Sequence, residues 1–376
     1  MASILLVTND FGPRAGGIET FVIGLLERIA PGEVVVYTSS QKHHQSYDQN
    51  WLQRYQVQVI RDKSRILLPT PRVIKNLQRI ISDQEITTIW FGAAAPLGVS
   101  ARWLRKSGAK HIVALTHGHE VWWAKLWPFS WAISEIAAQI NYVTYLGDFT
   151  KKALAPRFKD HKKLVQIAPG IDTDHFKPRD ASQLRKTLNI TDRPTIISVG
   201  RLVHRKGQDR LIEALPQILK SVPNAVLLLV GEGPYRKRLD RLIKKLQLKD
   251  HVIFIGRVDY QDLPTYLSVG DVFAMPSRSR FFGLEVEGLG IVYLEASACG
   301  LPVIGGASGG APDAVIDNET GFVVDGNDVE QIAITAIQLL ADPHLRSRMG
   351  AAGRKWSIDK WSWQLWSEKF NKVLEK

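Results

Sequence analysis

A single cysteine, Cys299, in 376 residues leaves no possible disulfide within the chain, so its stability must come from packed cores. No stretch approaches the roughly 18 consecutive apolar residues of a membrane-spanning helix. The opening Met1-Ala2-Ser3-Ile4-Leu5-Leu6-Val7-Thr8 has only a short apolar run and no basic residue before it. It is unlike a secretory leader and reads as a buried first strand, so a cytoplasmic protein is expected. Low-complexity tracts and repeats of solenoid period are missing, and with them the signs of a disordered or repeat protein. No DNA- or RNA-recognition motif occurs either, so nucleic acid is not an expected partner.

What is there is ordinary soluble composition, 45% apolar and 23% charged, in a chain longer than one core usually supports. Two domains are therefore expected. Short apolar runs alternate with amphipathic segments, the pattern of parallel sheets covered by helices on both faces, which makes the class α/β. Strands are predicted near 4–8, 34–37, 57–60, 88–91, 111–115, 142–145 and 165–167. The pattern restarts at 194–200 and continues at 225–230, 252–255, 271–275, 302–304 and 321–324. Turn residues in Ala168-Pro169-Gly170-Ile171-Asp172 and Phe176-Lys177-Pro178 place the boundary near residue 170. The division predicted is 1–170 and 171–355, with a final helix over 356–376 returning to the first domain. Ligands of such sheets bind beyond the carboxyl ends of the strands, so two doubly wound domains facing each other would form one deep cleft.

The formal charge of +12 is uneven: about +9 falls in residues 1–170, +2 in 171–355 and +1 in the tail. An anionic surface or an acidic substrate would answer such a field in the first half.

Chemistry is most visible in Glu287-Gly288-Leu289-Gly290-Ile291-Val292-Tyr293-Leu294-Glu295, two carboxylates flanking glycines at a helix start. Glycine lets backbone N–H groups of a helix N-terminus approach a phosphate, where the helix dipole favours negative charge. Gly200-Arg201-Leu202-Val203-His204-Arg205-Lys206-Gly207 follows the first strand of the second half. Two cations there, Arg201 and Lys206, can neutralise a departing diphosphate.

These residues resemble the signature of glycosyltransferase family 4, and the resemblance covers nearly the whole chain. It implies the GT-B fold, two Rossmann-like domains facing a deep cleft, and transfer of a sugar from a nucleotide donor with retention of configuration. It also implies roles: Arg201 and Lys206 on the donor diphosphate, Glu287 facing the donor sugar, and Glu295 on the ribose hydroxyls. Gly290, Ile291 and Val292 would offer backbone N–H groups to the donor, and Arg257 and Val258 would frame its base. Gly16 and Gly17, in Asn9-Asp10-Phe11-Gly12-Pro13-Arg14-Ala15-Gly16-Gly17-Ile18-Glu19, resemble the family's glycine loop near the donor phosphate. His117, in Thr116-His117-Gly118-His119-Glu120, resembles its active-site histidine and would touch the reacting sugar. Asn9, Asp10, Arg65, His119 and Glu120 are acceptor-side candidates.

His117, His119 and Glu120 also suggest a metal, as does Asp172-Thr173-Asp174. With Arg201, Lys206 and a helix terminus already opposing the diphosphate, no metal and no cofactor are expected.

Within the family, Thr8-Asn9-Asp10-Phe11, Leu68-Pro69-Thr70-Pro71, Arg205-Lys206-Gly207-Gln208-Asp209, Asp259-Tyr260-Gln261-Asp262 and Ser308-Gly309-Gly310-Ala311-Pro312 are similar to one branch. Its enzymes move mannose from GDP-mannose to phosphatidylinositol mannosides in α-1,6 linkage. That resemblance implies an anionic glycolipid acceptor and peripheral attachment to the inner face of the cell membrane, with Arg61, Lys63, Arg65 and Arg72 as candidate cations. In Val121-Trp122-Trp123-Ala124-Lys125-Leu126-Trp127-Pro128-Phe129-Ser130-Trp131, the residues Trp123, Trp127 and Trp131 recur every fourth position and suit a membrane interface. Other donors, other acceptors, or a sugar-nucleotide sensor without turnover are the competing readings.

Overall fold

The computed structural model describes residues 2–14, 16–118, 120–283 and 285–375. It contains two compact units, Met1–Gly170 with Trp363–Lys376, and Ile171–Ser362.

The first unit holds seven parallel strands: β1 Ile4–Thr8, β2 Val34–Thr38, β3 Gln58–Arg61, β4 Thr88–Phe91, β5 His111–Ala114, β6 Tyr142–Tyr145 and β7 Leu164–Gln166. Their order is β3-β2-β1-β4-β5-β6-β7. The strands form where apolar runs are buried on both faces; every residue of β1, β2, β4 and β5 is buried. Helices cover the sheet with apolar stripes, as in Pro71–Asp83, which buries Val73, Ile74, Leu77 and Ile81. Thr70 caps that helix by accepting from the Val73 N–H, and Pro71 fits its first turn.

The second unit repeats the plan with β8 Thr195–Val199, β9 Val226–Val230, β10 Val252–Gly256, β11 Val272–Met275, β12 Val303–Gly306 and β13 Gly321–Val324. The order is β10-β9-β8-β11-β12-β13, again all parallel. In each sheet the order reverses beside the first strand, which leaves a crevice at the carboxyl edge. All thirteen expected strands are present, four at the expected bounds and the rest displaced at an end by one or two residues.

The last part of the chain is divided later than the predicted residue 356. The helix Pro343–Trp361 lies in the second unit, and the helix Trp363–Glu375 in the first. There Phe370 is buried against Trp90 with ring centroids 4.9 Å apart, and His111 Nε2–H donates to the Val373 carbonyl at 2.7 Å. Trp363 lies over Gly24 and Gly170, where any side chain would overlap it, and its ring takes the Arg28 guanidinium at 4.6 Å.

Candidate active site

In the second unit the chemistry gathers at the carboxyl edge of β8 and β11. After β8 a short turn, His204–Lys206, ends at Gly207, whose φ of 76° suits glycine and whose Cα lies flush on the Pro276 carbonyl. This close approach fixes the direction of Lys206. Its Nζ reaches Glu287 Oε2 at 2.8 Å, and Arg205 Nη1 meets the same oxygen at 2.7 Å. Burial opposes ionisation of Glu287, yet Lys206 and Arg205 hold its carboxyl below the usual range. Sequence reasoning missed Arg205, which stands between two residues it did assign.

Gly290 caps the helix Ile291–Ala298 with φ 77° and ψ 60°, a conformation that glycine adopts freely. A side chain there would strike the Tyr293 ring. Tyr293 in turn donates its hydroxyl to the Met275 carbonyl at 2.7 Å, fastening the helix start to the end of β11. The first N–H groups of that helix, at Ile291 and Val292, have no partner within it. The Gly310 N–H bonds the Glu287 carbonyl at 2.8 Å, so the loop after β12 secures the Glu287 backbone. Glu295 has no hydrogen-bonding side-chain partner among the described residues, and burial pushes its carboxyl up to about 7. Arg201 and Arg257 are exposed, with no side-chain hydrogen bond or ion pair among the described residues, and Val258 lies half-buried beside Arg257 after β10.

One further cluster stiffens this edge. Arg278 Nη2 bonds Asp209 Oδ2 at 2.7 Å, both side chains almost wholly buried, and the Arg278 N–H bonds the Arg205 carbonyl at 2.8 Å. Asp172, in the acidic triplet considered for a metal, accepts instead from the N–H groups of Asp174 and His175 as a turn cap.

In the first unit, the loops after β1, β3, β4 and β5 are laced together. His117 Nε2–H donates to the Gly92 carbonyl at 2.5 Å, and Phe21 meets the ring edge-on at 5.7 Å. Glu120 is buried and accepts from the His117 N–H at 2.9 Å, so it holds the histidine loop. Asn9 likewise braces a loop, the one after β3. Its amide brackets Leu67, donating to the carbonyl at 3.0 Å and accepting from the N–H at 2.6 Å. Asp10 lies half-buried next to it, its N–H on Thr8 Oγ1 at 2.9 Å. His119 lies outside the described residues.

Gly16 and Gly17 are exposed at the start of the helix Gly17–Leu26; Gly16 is extended, and a side chain at Gly17 would meet nothing within 4 Å. Glu19, which sequence reasoning passed over, is buried in that first turn, with no hydrogen-bond partner for Oε1 among the described residues. Burial raises its carboxyl to about 7 against the pull of Arg14.

Of the candidate surface cations, Arg61 is consumed by Asp48 and the Gly12 and Ser39 carbonyls, and Arg72 forms two bonds to Asp62. Arg65 stays exposed and lines a cavity of about 840 Å³ with Asn9, Arg14, Lys42 and His43, a lining that contains no carboxylate. Its chemistry suits an anion.

The chain is similar to known proteins over its whole length. The family described as "Glycosyl transferases group 1" matches residues 180–356, and "Glycosyltransferase Family 4" matches residues 15–175. The GDP-mannose-dependent alpha-(1-6)-phosphatidylinositol monomannoside mannosyltransferase of Mycolicibacterium smegmatis is 44% identical over 364 residues, 96% of this chain and 95% of that one. The enzyme of the same description from Mycobacterium tuberculosis is 42% identical over 379 residues, covering 100% and 98%. Among solved structures, Anabaena Alr3699/HepE in complex with UDP superposes with a TM-score of 0.83 at 19% identity over the full length of both chains. Sucrose-phosphate synthase from Thermosynechococcus elongatus does so at 0.79 and 24% identity, covering 99% and 98%. The fold is GT-B, with Rossmann-like sheets of seven and six strands.

Proposed function

The chain belongs to glycosyltransferase family 4, and from that premise we propose that it transfers mannose from GDP-mannose to a phosphatidylinositol mannoside, in α-1,6 linkage and with retention. The observation that carries this reading is identity above 40% with mannosyltransferases of that description across essentially their whole length.

In the reaction, the bond between the anomeric carbon and the β-phosphate oxygen breaks, and its electron pair leaves with GDP. The acceptor hydroxyl oxygen forms the new bond on the same face, and its proton passes to the departing phosphate oxygen. Charge develops on that phosphate, where Lys206, Arg201 and the N–H groups of Ile291 and Val292 oppose it. Glu287, kept ionised by Lys206 and Arg205, holds sugar hydroxyls and stabilises positive charge at the anomeric carbon. Glu295 accepts from the ribose hydroxyls, Arg257 and Val258 frame the base, and Gly16 and Gly17 admit the diphosphate without side-chain obstruction. His117, with Nε2–H committed to Gly92, is held in one ring orientation for the sugar. The carboxylate-free cavity lined by Arg14, Lys42, His43 and Arg65 receives the acceptor phosphate. Neither metal nor cofactor enters the scheme, and the enzyme works at the inner face of the cell membrane.

Transfer of labelled mannose from GDP-mannose to purified phosphatidylinositol mannosides, followed by linkage analysis, tests donor, acceptor and stereochemistry together. Preference for a UDP-sugar, or a product that is not an α-1,6-mannoside, overturns the proposal.

A further inference from the structure

Four of the eight exposed large apolar residues among those described in the first unit, including both exposed tryptophans, lie in one turn. Leu126, Trp127, Phe129 and Trp131 are 43%, 84%, 36% and 61% exposed. The turn joins the helices Glu120–Lys125 and Phe129–Gln139, and it stands at the carboxyl edge of the sheet because the first of these helices leaves the end of β5. Its base is rigid: Phe129 packs edge-on against Trp122 and Trp123 at 5.0 and 4.9 Å, and Trp123 also rests on the hydrophobic core. Of the three tryptophans spaced four apart, only Trp127 and Trp131 therefore project. Helix Glu120–Lys125 spans about 9 Å at 1.5 Å per residue, so the turn lies within a lipid headgroup's reach of His117.

The ground beside this turn is basic. Helix Glu120–Lys125 packs on Asp148–Leu154, and Arg157 Nε donates to the Ala124 carbonyl at 2.9 Å. Residues 148–163 carry six Lys and Arg against two Asp, with Lys151, Lys152 and Lys159 exposed. Exposed indoles rimmed by cations match the interfacial zone of an anionic bilayer, where tryptophan settles among headgroups and each cation meets surface charge.

We propose that the Leu126–Trp131 turn and the basic segment 148–163 together seat the first unit on an anionic phospholipid surface. This rests on the reading of a lipid acceptor and specifies how the enzyme reaches it. The charge of the flank favours lipid over an apolar protein partner.

The test is flotation of the full chain with vesicles of phosphatidylcholine alone or with phosphatidylglycerol, without donor, so that it does not depend on turnover. Binding is expected to require the anionic lipid and to weaken with salt. Trp127→Ser/Trp131→Ser is expected to reduce vesicle affinity by about tenfold, and Lys151→Gln/Lys152→Gln to weaken its dependence on phosphatidylglycerol. Both variants should keep the parent's melting temperature and its rate on a deacylated, water-soluble acceptor. Undiminished vesicle binding by the tryptophan variant overturns the proposal, as does a parent that ignores vesicles, or a parent dimer that the tryptophan changes dissolve. Vesicle binding as expected, without mannose transfer to any acceptor, would instead remove the acceptor reading and leave this surface standing.

Discussion

Lys206→Gln separates the catalytic from the structural duty of the charged cluster. Lys206 Nζ and Arg205 Nη1 share one oxygen of Glu287 at 2.8 and 2.7 Å, in side chains 11%, 28% and 10% exposed. In the variant Glu287 keeps Arg205, so no buried charge is stranded and stability should fall by only about 1–3 kcal/mol. On the proposed mechanism the departing diphosphate keeps Arg201 and the helix N-terminus but loses one of its two cations. A positioned group opposing charge that develops in the transition state is worth about 3–4 kcal/mol, so kcat should fall roughly 100- to 1,000-fold. Glu287 adds a pH signature. Its folded carboxyl lies below its ordinary 4.5, so its stabilising share is present above that value and is lost as pH falls through the folded one. The gap in Tm between parent and variant should therefore narrow in acid. Initial rates at saturating GDP-mannose and melts across pH measure both effects. A folded Lys206→Gln enzyme with kcat within about threefold of the parent refutes the charge-stabilisation argument.

Glu295, raised to about 7, accepts most strongly when ionised, so on its proposed role at the ribose hydroxyls KM for the donor should rise as pH falls through that value. Glu295→Gln should raise KM and flatten the profile. Because the folded value lies above 4.5, its stability share is present below 4.5 and lost as pH rises through about 7, a slope in Tm that the Gln variant should lack. Gly290→Ala places a side chain in left-handed backbone against Tyr293, and a loss of about 1–3 kcal/mol is expected in urea unfolding. Gly17→Ala, in open space, should leave Tm unchanged while lowering turnover. Arg278→Met strands a buried Asp209 and should cost about 3–5 kcal/mol, much of it recovered by adding Asp209→Leu; equal stability of parent and single variant would contradict that.

The sheets were legible because each strand is a continuous apolar run bounded by turn residues, and a parallel sheet buried on both faces asks for nothing else. Strand ends were less so. In β12 the chain continues through Gly305 and Gly306, residues that carry no strand signal and are held by pairing with Val323 and Val324 of β13. The last helix shows a similar limit. Trp363, Trp366 and Phe370 recur at helical spacing in the sequence, but the start of the helix at Trp363 is set by where Trp363 packs, over Gly24 and Gly170.

Site residues divide on the same ground. Lys206 sits in the short turn that follows β8, and Glu287 and Gly290 in the loop that leads into the helix Ile291–Ala298, where glycine and turn residues already signal the local geometry. Asn9 and Glu120 stood in equally suggestive places, yet the bond of Asn9 to Leu67, 58 residues away, and the closure of Glu120 on the His117 N–H are visible only in the fold. Counting charge misleads for the same reason. Arg61, Arg72 and Arg79 stand among the basic residues of 1–170, yet they pair with Asp48, Asp62 and Asp83, so the net +9 is carried by other side chains. The field left for an anion at that sheet edge comes from Arg14, Lys42 and Arg65, which have no ion-pair partner among the described residues and converge on one cavity. A sequence states how many charges a surface owns, but only the pairing of side chains far apart in the chain decides which of them a ligand can use.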